Sequence, residues 1–258
     1  MKFIALIPAR YGSTRFPGKP LVRLGGKMVI EHVYRRVSPL FDETYICTDD
    51  ERILRAVEGF GGRAVMTSTT HRSGTDRCWE AYCNIGSQAE VVVNVQGDEP
   101  FIRSEQLIAL CQCFDDPAAQ IATLVKPFTP SDGFQALQNP NSPKVVVDGN
   151  MHAIYFSRSV IPYLRGVEPS EWLSRHLYYR HIGIYGYRAS VLGEITHLPV
   201  GKLEQAESLE QLRWLENGYT IRVAKTTFDT IGIDTPQDLQ QAEDYLANNG
   251  FIGKTDNK

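Results

Sequence analysis

Three cations and two glycines fall within ten residues near the start of the chain: Arg10, Gly12, Arg15, Gly18 and Lys19. Glycines let backbone N–H groups approach an anion closely, and Arg and Lys neutralise its charge. A triphosphate is the kind of polyanion such a loop suits; the plainer reading is a solvated basic turn. Position favours the anion. Residues 3–8 form a continuous apolar run, the mark of a buried parallel strand, and ligands of α/β sheets sit beyond the carboxyl ends of the strands. The loop is neither a Walker A sequence nor a Gly-x-Gly-x-x-Gly fingerprint, so P-loop NTPases and dinucleotide dehydrogenases lose support.

A second strand, residues 91–95, delivers Gln96-Gly97-Asp98-Glu99-Pro100 to the same end of a sheet. Mg2+ is typically held by one or two protein carboxylates together with phosphate oxygens. Asp98 is the ligand expected here, with Glu99 as the alternative. Capping is the plain role for Asp98, but Ser104 is better placed to cap the helix that follows. The five cysteines (Cys47, Cys78, Cys83, Cys111 and Cys113) include no Cys-x-x-Cys pair. Cys111 and Cys113, two apart on a helix, would diverge, so reduced thiols are expected rather than a zinc site.

The elements that must position these groups alternate. Val29, Ile30, Val33 and Val37 share a helical face. Residues 44–48 read as a strand ending at Asp49-Asp50, which open a helix through Ile53, Leu54 and Val57, closed by Gly61-Gly62. Residues 64–66 and 121–125 are further strands. Alternating strands and helices imply an α/β fold with a mostly parallel, doubly wound sheet. The rhythm changes after residue 127. A Pro/Asn/Ser-rich connector (127–143), a hairpin around Gly149-Asn150 and a loop (162–180) precede strands at 182–187 and 220–224, a helix at 207–217 and a last helix at 236–247. One domain, 1–250, is expected, with an inserted antiparallel lobe at 128–190 and a frayed tail at 251–258.

Hydrophobic residues make up 42% of the 258 and the formal net charge is −3. A nucleic-acid or membrane-surface protein is usually basic, so neither partner is expected. The apolar start is too short for a signal peptide, and no run reaches the ~18 apolar residues that span a bilayer. A soluble cytoplasmic protein is the expectation.

Further blocks lie in order down the chain: His71-Arg72-Ser73-Gly74-Thr75-Asp76-Arg77, Tyr155-Phe156-Ser157-Arg158, Arg180-His181-Ile182-Gly183-Ile184-Tyr185-Gly186-Tyr187-Arg188, Leu209-Glu210-Gln211-Leu212-Arg213 and Gly232-Ile233-Asp234-Thr235-Pro236. Together with residues 8–21 and 94–100, they make the chain resemble the 3-deoxy-manno-octulosonate (KDO) cytidylyltransferases. The opening loop alone would suggest only a sugar nucleotidyltransferase. Gly12 stands where the family motif has alanine; either keeps the backbone accessible.

The resemblance implies a nucleotide-diphospho-sugar transferase type of fold. It implies transfer of CMP from CTP to the anomeric hydroxyl of KDO, with Mg2+ as cofactor, a homodimer, and a place in lipopolysaccharide synthesis. By the same resemblance, Arg10, Ser13, Arg15 and Lys19 bind the CTP phosphates, with Arg15, Lys19 and Asp98 closest to the chemistry. Ser73, Arg77 and Gln96 belong to the nucleotide site, Ser73 and Arg77 facing the base or ribose. Asp98 and Asp234 bind the metal; Arg158, His181, Tyr185, Glu210 and Gln211 form the sugar pocket. The residues fit in kind: Arg158 could pair a carboxylate, and the others could meet hydroxyls. Read alone, Asp234 would be a helix cap and Glu210 and Gln211 a solvated helix face. Two competing readings are a cytidylyltransferase for another acidic sugar, such as sialic acid, and a nucleotide-sugar-binding regulator that has lost catalysis.

Overall fold

The computed structural model describes residues 1–12 and 15–249. The expected tail and Ser13 lie outside the described residues. Two compact units account for the chain. The first comprises Phe3–Gln88, Asn94–Ile102 and the residues from Thr230 onward; the second comprises Met1–Lys2, Ala89–Val93 and Arg103–Asp229. The stretch 128–190 lies wholly within the second unit.

In the first unit, Phe3–Ala9 pairs in parallel with Glu43–Thr48, and Glu43–Thr48 in parallel with Ala64–Met66. Ile4, Ala5, Leu6 and Ile7 are fully buried, as the continuous apolar run requires of a strand covered on both faces. The helix Val29–Val37 buries Val29, Ile30, Val33 and Val37 completely. All four are β-branched Val or Ile of middling helix propensity, while burying four such side chains stabilises by roughly 6–12 kcal/mol as an upper bound. Packing, not propensity, holds this helix. Asp50 caps Glu51–Gly59 by accepting the Arg52 N–H at 2.9 Å.

The helix Gly74–Ile85 was not anticipated, although its signals are present. Ser73 accepts the Asp76 N–H at 3.1 Å, and Gly86 ends the helix in the left-handed region at φ 68°. The last helix, Pro236–Asn249, packs its Ala242 into a buried cluster with Leu24, Val29, Phe101 and Ile233.

In the second unit, Ile121–Pro127 pairs in parallel with Ile221–Lys225 and antiparallel with Tyr179–Arg188. The hairpin Lys144–Val147 and Ala153–Ser157 forms as expected. The fold class is as read: α/β, with a mostly parallel mixed sheet and its antiparallel pairs in this unit. Three local expectations are corrected. The connector 127–143 carries a short helix, Gly133–Gln138, because Leu137 is drawn into a buried cluster with Phe128, Trp172 and Tyr178. Ser104 is the first residue of its helix rather than its cap; Arg103 takes the cap position, and its N–H is accepted by the Gln106 side chain. Residues 207–217 are not one helix. Lys202–Glu207 and Gln211–Glu216 meet at a corner where Ser208 adopts φ 52°. Arg213 holds that corner by a bidentate grip on Glu204 at 2.7 and 2.6 Å.

The cysteines are unbonded; Cys47, Cys78 and Cys113 are buried. No helix among the described residues is long and apolar enough to cross a membrane.

Candidate active site

The strand Phe3–Ala9 ends in the basic loop, which folds back so that the Gly18 N–H reaches the Tyr11 carbonyl at 2.9 Å. Gly18 takes φ 72°, a conformation L side chains rarely adopt, and the Tyr11 ring lies where a Cβ would stand, at 3.1 Å. The turn that follows, Lys19–Leu21, aims Lys19 into an open cleft of about 350 Å³. Arg10, Arg15, Lys19, Ser73, Arg77, Gln96, Asp98 and Asp234 all line this cleft. The first unit therefore brings together every described residue expected at the nucleotide and metal sites.

Lys19 is the centre of the cluster. Its Nζ donates to Asp98 Oδ2 at 2.6 Å and to Asp234 Oδ1 at 2.9 Å. Arg15 Nη2 reaches the other Asp234 oxygen at 3.0 Å. Burial opposes the charge on Lys19, but the two carboxylates outweigh it and raise its pKa. Burial likewise opposes ionisation of Asp234, and Lys19 and Arg15 overcome it, holding that carboxyl below its ordinary range. The backbone fixes the spacing: the Ile233 N–H donates to the Asp98 carbonyl at 2.9 Å.

Asp234 does not cap the last helix. Thr235 Oγ1 accepts the Asp238 N–H, while the Asp238 carboxylate accepts the N–H groups of Asp234 and Thr235 at 3.0 and 2.8 Å. That arrangement leaves the Asp234 carboxylate to the cleft. Glu99, the alternative ligand, is buried; burial, then the neighbouring Asp98 charge, push its carboxyl up to about 8. Glu99 does not line the cleft, so Asp98 rather than Glu99 faces the cation position.

Arg77 is 3% exposed, and its guanidinium is engaged by the protein. It donates to Asp49 Oδ2 at 2.7 Å, Thr67 Oγ1 at 2.6 Å and the Ser68 carbonyl at 3.4 Å. It shapes the cleft wall rather than projecting free donors into it. His71 also lines the cleft, with its Nε2 against Glu80.

The residues expected at the sugar pocket lie in the second unit. His181 and Tyr185 sit either side of a bulge in the strand Tyr179–Arg188, with ring centroids 5.3 Å apart. Thr123 Oγ1 has one proton and two carbonyl acceptors, Ile182 at 3.2 Å and Ile184 at 2.8 Å. It therefore accepts from His181 Nε2–H at 3.0 Å, leaving Nδ1 as a lone-pair acceptor. Part of His181 reaches the surface, yet burial of its ring pushes the pKa down to about 3.

Tyr185 packs edge-on to Trp214 at 5.1 Å. Its hydroxyl lies close to Thr123 but completes no hydrogen bond; burial, then the Glu210 charge, raise its pKa. Gln211 is 4% exposed, so it is not on a solvated face. Tyr185 Oη, Gln211 Nε2 and Trp214 Nε1 are all buried without a hydrogen-bond partner. Buried polar groups are ordinarily paired, and these three are the kind a hydroxyl-rich ligand would satisfy.

Arg158 stands apart from this group. Its guanidinium donates to the carbonyls of Glu207 at 2.6 Å, Pro140 at 2.9 Å and Ser208 at 3.2 Å. The Glu207 carboxylate in turn accepts Ser157 Oγ–H and the Arg158 N–H. In this structure Arg158 braces the Ser208 corner and has no free fork for a ligand carboxylate. Glu207, Thr123 and the pairing of Asp49 with Arg77 were missed because nothing in their local sequence marks a long-range partner.

Comparison with known proteins settles the family. Residues 4–223 match the cytidylyltransferase family. The 3-deoxy-manno-octulosonate cytidylyltransferase of Phocaeicola vulgatus is 65% identical over 246 residues, covering 95% of this chain and 98% of the relative. The chain belongs to the 3-deoxy-manno-octulosonate cytidylyltransferases. Its counterpart in Bacteroides thetaiotaomicron is 60% identical, covering 96% of this chain and 99% of the relative. A solved structure of CMP:2-keto-3-deoxy-manno-octonic acid synthetase complexed with CTP superposes with a TM-score of 0.88 at 42% identity, covering 96% and 99% of the two chains.

Two substitutions test how this cytidylyltransferase positions its groups. A Cβ at Gly97 would stand 2.7 Å from the Pro8 carbonyl oxygen. Backbone cannot step aside as a flexible side chain can, so Gly97→Ala must shift the turn that carries Asp98. Turnover should fall by on the order of 10²-fold, the usual result of about 1 Å of misplacement, and pyrophosphate-release kinetics with a thermal melt check it. For His181 the folded pKa of about 3 lies below the ordinary 6.5. Between these values the unfolded chain binds more protons, so stability is lost as pH falls from about 6.5 towards 3. His181→Phe should lose less melting temperature than wild type between pH 6.5 and 4.5. Parallel losses in the two proteins would mean another group governs the acid limb.

Proposed function

We propose that this chain transfers the cytidylyl group of CTP to the anomeric hydroxyl of KDO, with Mg2+ as cofactor and pyrophosphate as the second product. The convergence of Asp98 and Asp234 on one cation position beside a basic loop carries this reading. Both carboxylates meet the same Lys19 ammonium, so their oxygens already face one positively charged point, and hard oxygen donors of this kind suit Mg2+. Among the described residues no group of three or more His, Cys, Asp or Glu side chains could hold a metal. A two-carboxylate site would therefore be completed by phosphate oxygens and water.

Such an ion supplies charge neutralisation at the α-phosphate and a lower pKa for the attacking hydroxyl. The chain's own groups do the rest. Arg10, Arg15 and Lys19 bind the triphosphate and stabilise charge on the leaving pyrophosphate. Ser73 and Gln96 border the nucleoside, and Arg77 with Asp49 keeps that wall rigid. Tyr185, Gln211 and neutral His181 present hydrogen-bonding groups to the sugar hydroxyls. The transfer needs positioning and electrostatics rather than a protein nucleophile.

On this reading the enzyme works in the cytoplasm, in lipopolysaccharide synthesis, as a homodimer. Exposed apolar side chains at Ile154, Tyr163 and Leu177, within 128–190, suit that stretch for the contact between copies. Pyrophosphate release with CTP and KDO, with and without Mg2+, tests the reaction. Release is expected only with KDO, CTP and the cation together. Release with sialic acid in place of KDO, or none with any sugar despite CTP binding, would overturn the assignment.

A further inference from the structure

Lys19 stands where the cation is expected. Its ammonium is 2.6 Å from Asp98 and 2.9 Å from Asp234, and its side chain is only 13% exposed. Arg15 also reaches Asp234 at 3.0 Å, but with 66% of its side chain exposed, against 13% for Lys19. Counted together, Asp98, Asp234, Lys19 and Arg15 sum to zero charge. A divalent ion entering this neutral cluster would face the Lys19 ammonium at close range, and like charges there repel strongly. The triphosphate changes both terms: it brings compensating negative charge and gives Lys19 another anion to bind.

We propose that Lys19 is an internal counter-cation, holding the two carboxylates in register in the empty enzyme and excluding a lone divalent ion until the triphosphate draws it away. Nucleotide and metal then load as a unit, and the carboxylate pair does not take up divalent ions idly. This rests on the reading of Asp98 and Asp234 as the metal pair, and it adds to that reading a gating role for a residue otherwise assigned only to phosphate. The backbone allows the exchange. Gly18 and the Lys19–Leu21 turn are fixed by hydrogen bonds, so only the Lys19 side chain has to rotate.

The test is Mn2+ binding to the full-length, nucleotide-free protein, followed by the EPR signal of free Mn2+, in wild type, Asp98→Asn, Lys19→Gln and Lys19→Gln/Asp98→Asn. Lys19→Gln should bind Mn2+ roughly tenfold more tightly than wild type, within the usual range of coupling between sites, and the double variant should lose the gain. Lys19→Gln binding no more tightly, while Asp98→Asn weakens binding, would overturn the gate and leave the metal pair standing. Binding indifferent to Asp98→Asn in both backgrounds would sink the metal pair and the gate with it. A measurement on wild type covers the case in which Lys19→Gln does not fold. In 15N NMR of the lysine ammonium groups, the Lys19 signal should shift when CTP and Mg2+ are added together and stay in place with Mg2+ alone; a shift with Mg2+ alone would refute the gate.

Discussion

Asp98→Asn should lower kcat by about 10²–10³-fold, the typical loss when one charge-stabilising group is removed from a transition state, with the melting temperature nearly unchanged. Asn is isosteric and still accepts a hydrogen bond from Lys19, which keeps its contact with Asp234 at 2.9 Å. What disappears is the negative charge, and with it half of a two-carboxylate site. Steady-state pyrophosphate release at saturating CTP, KDO and Mg2+ measures the effect, and near-normal turnover would refute the assignment of Asp98. Raising Mg2+ should not restore the rate, because the missing group is part of the site rather than its occupant.

Arg77→Met should cost the most stability. Arg77 and Asp49 are paired at 2.7 Å with side chains 4% and 16% exposed. Breaking a buried pair by removing one partner costs about 3–5 kcal/mol, because the other charge is left uncompensated. Partial exposure of Asp49 argues for the lower end, and about 3 kcal/mol corresponds to roughly 6–12 °C in a protein of this size. Thr67 and Ser68 lose their donor in the same change. The double variant Arg77→Met/Asp49→Asn should recover part of the loss, since no lone carboxylate remains. Melting curves of the two variants decide it: a single variant that melts with wild type would mean the pair is not a structural element of the cleft wall.

Local signals were legible where neighbours in sequence fix the geometry. The strand Phe3–Ala9 and the helix Val29–Val37 follow from apolar runs and periodicity, and Asp50 is a cap by residue type and position. The break at Ser208 was not legible. Residues 207–217 carry a helical pattern, and the corner exists because Arg213 grips Glu204 and Arg158 braces the carbonyls of Glu207 and Ser208. A bland reading of Gln211 as a solvated residue failed for the same reason, since burial is decided by what packs on the far side.

The sequence by itself determined the α/β class, the basic loop, the acidic turn and the family, because each is carried by residue types at fixed local spacing. Only the tertiary structure decided how they meet. Asp98 and Asp234 lie 79 and 215 residues from Lys19 and converge on its ammonium; Arg77 is turned inward to Asp49; Arg158 braces a corner. Such pairings depend on which side chains the packed core leaves within reach of one another, and a pattern of neighbours along the chain does not encode that distance.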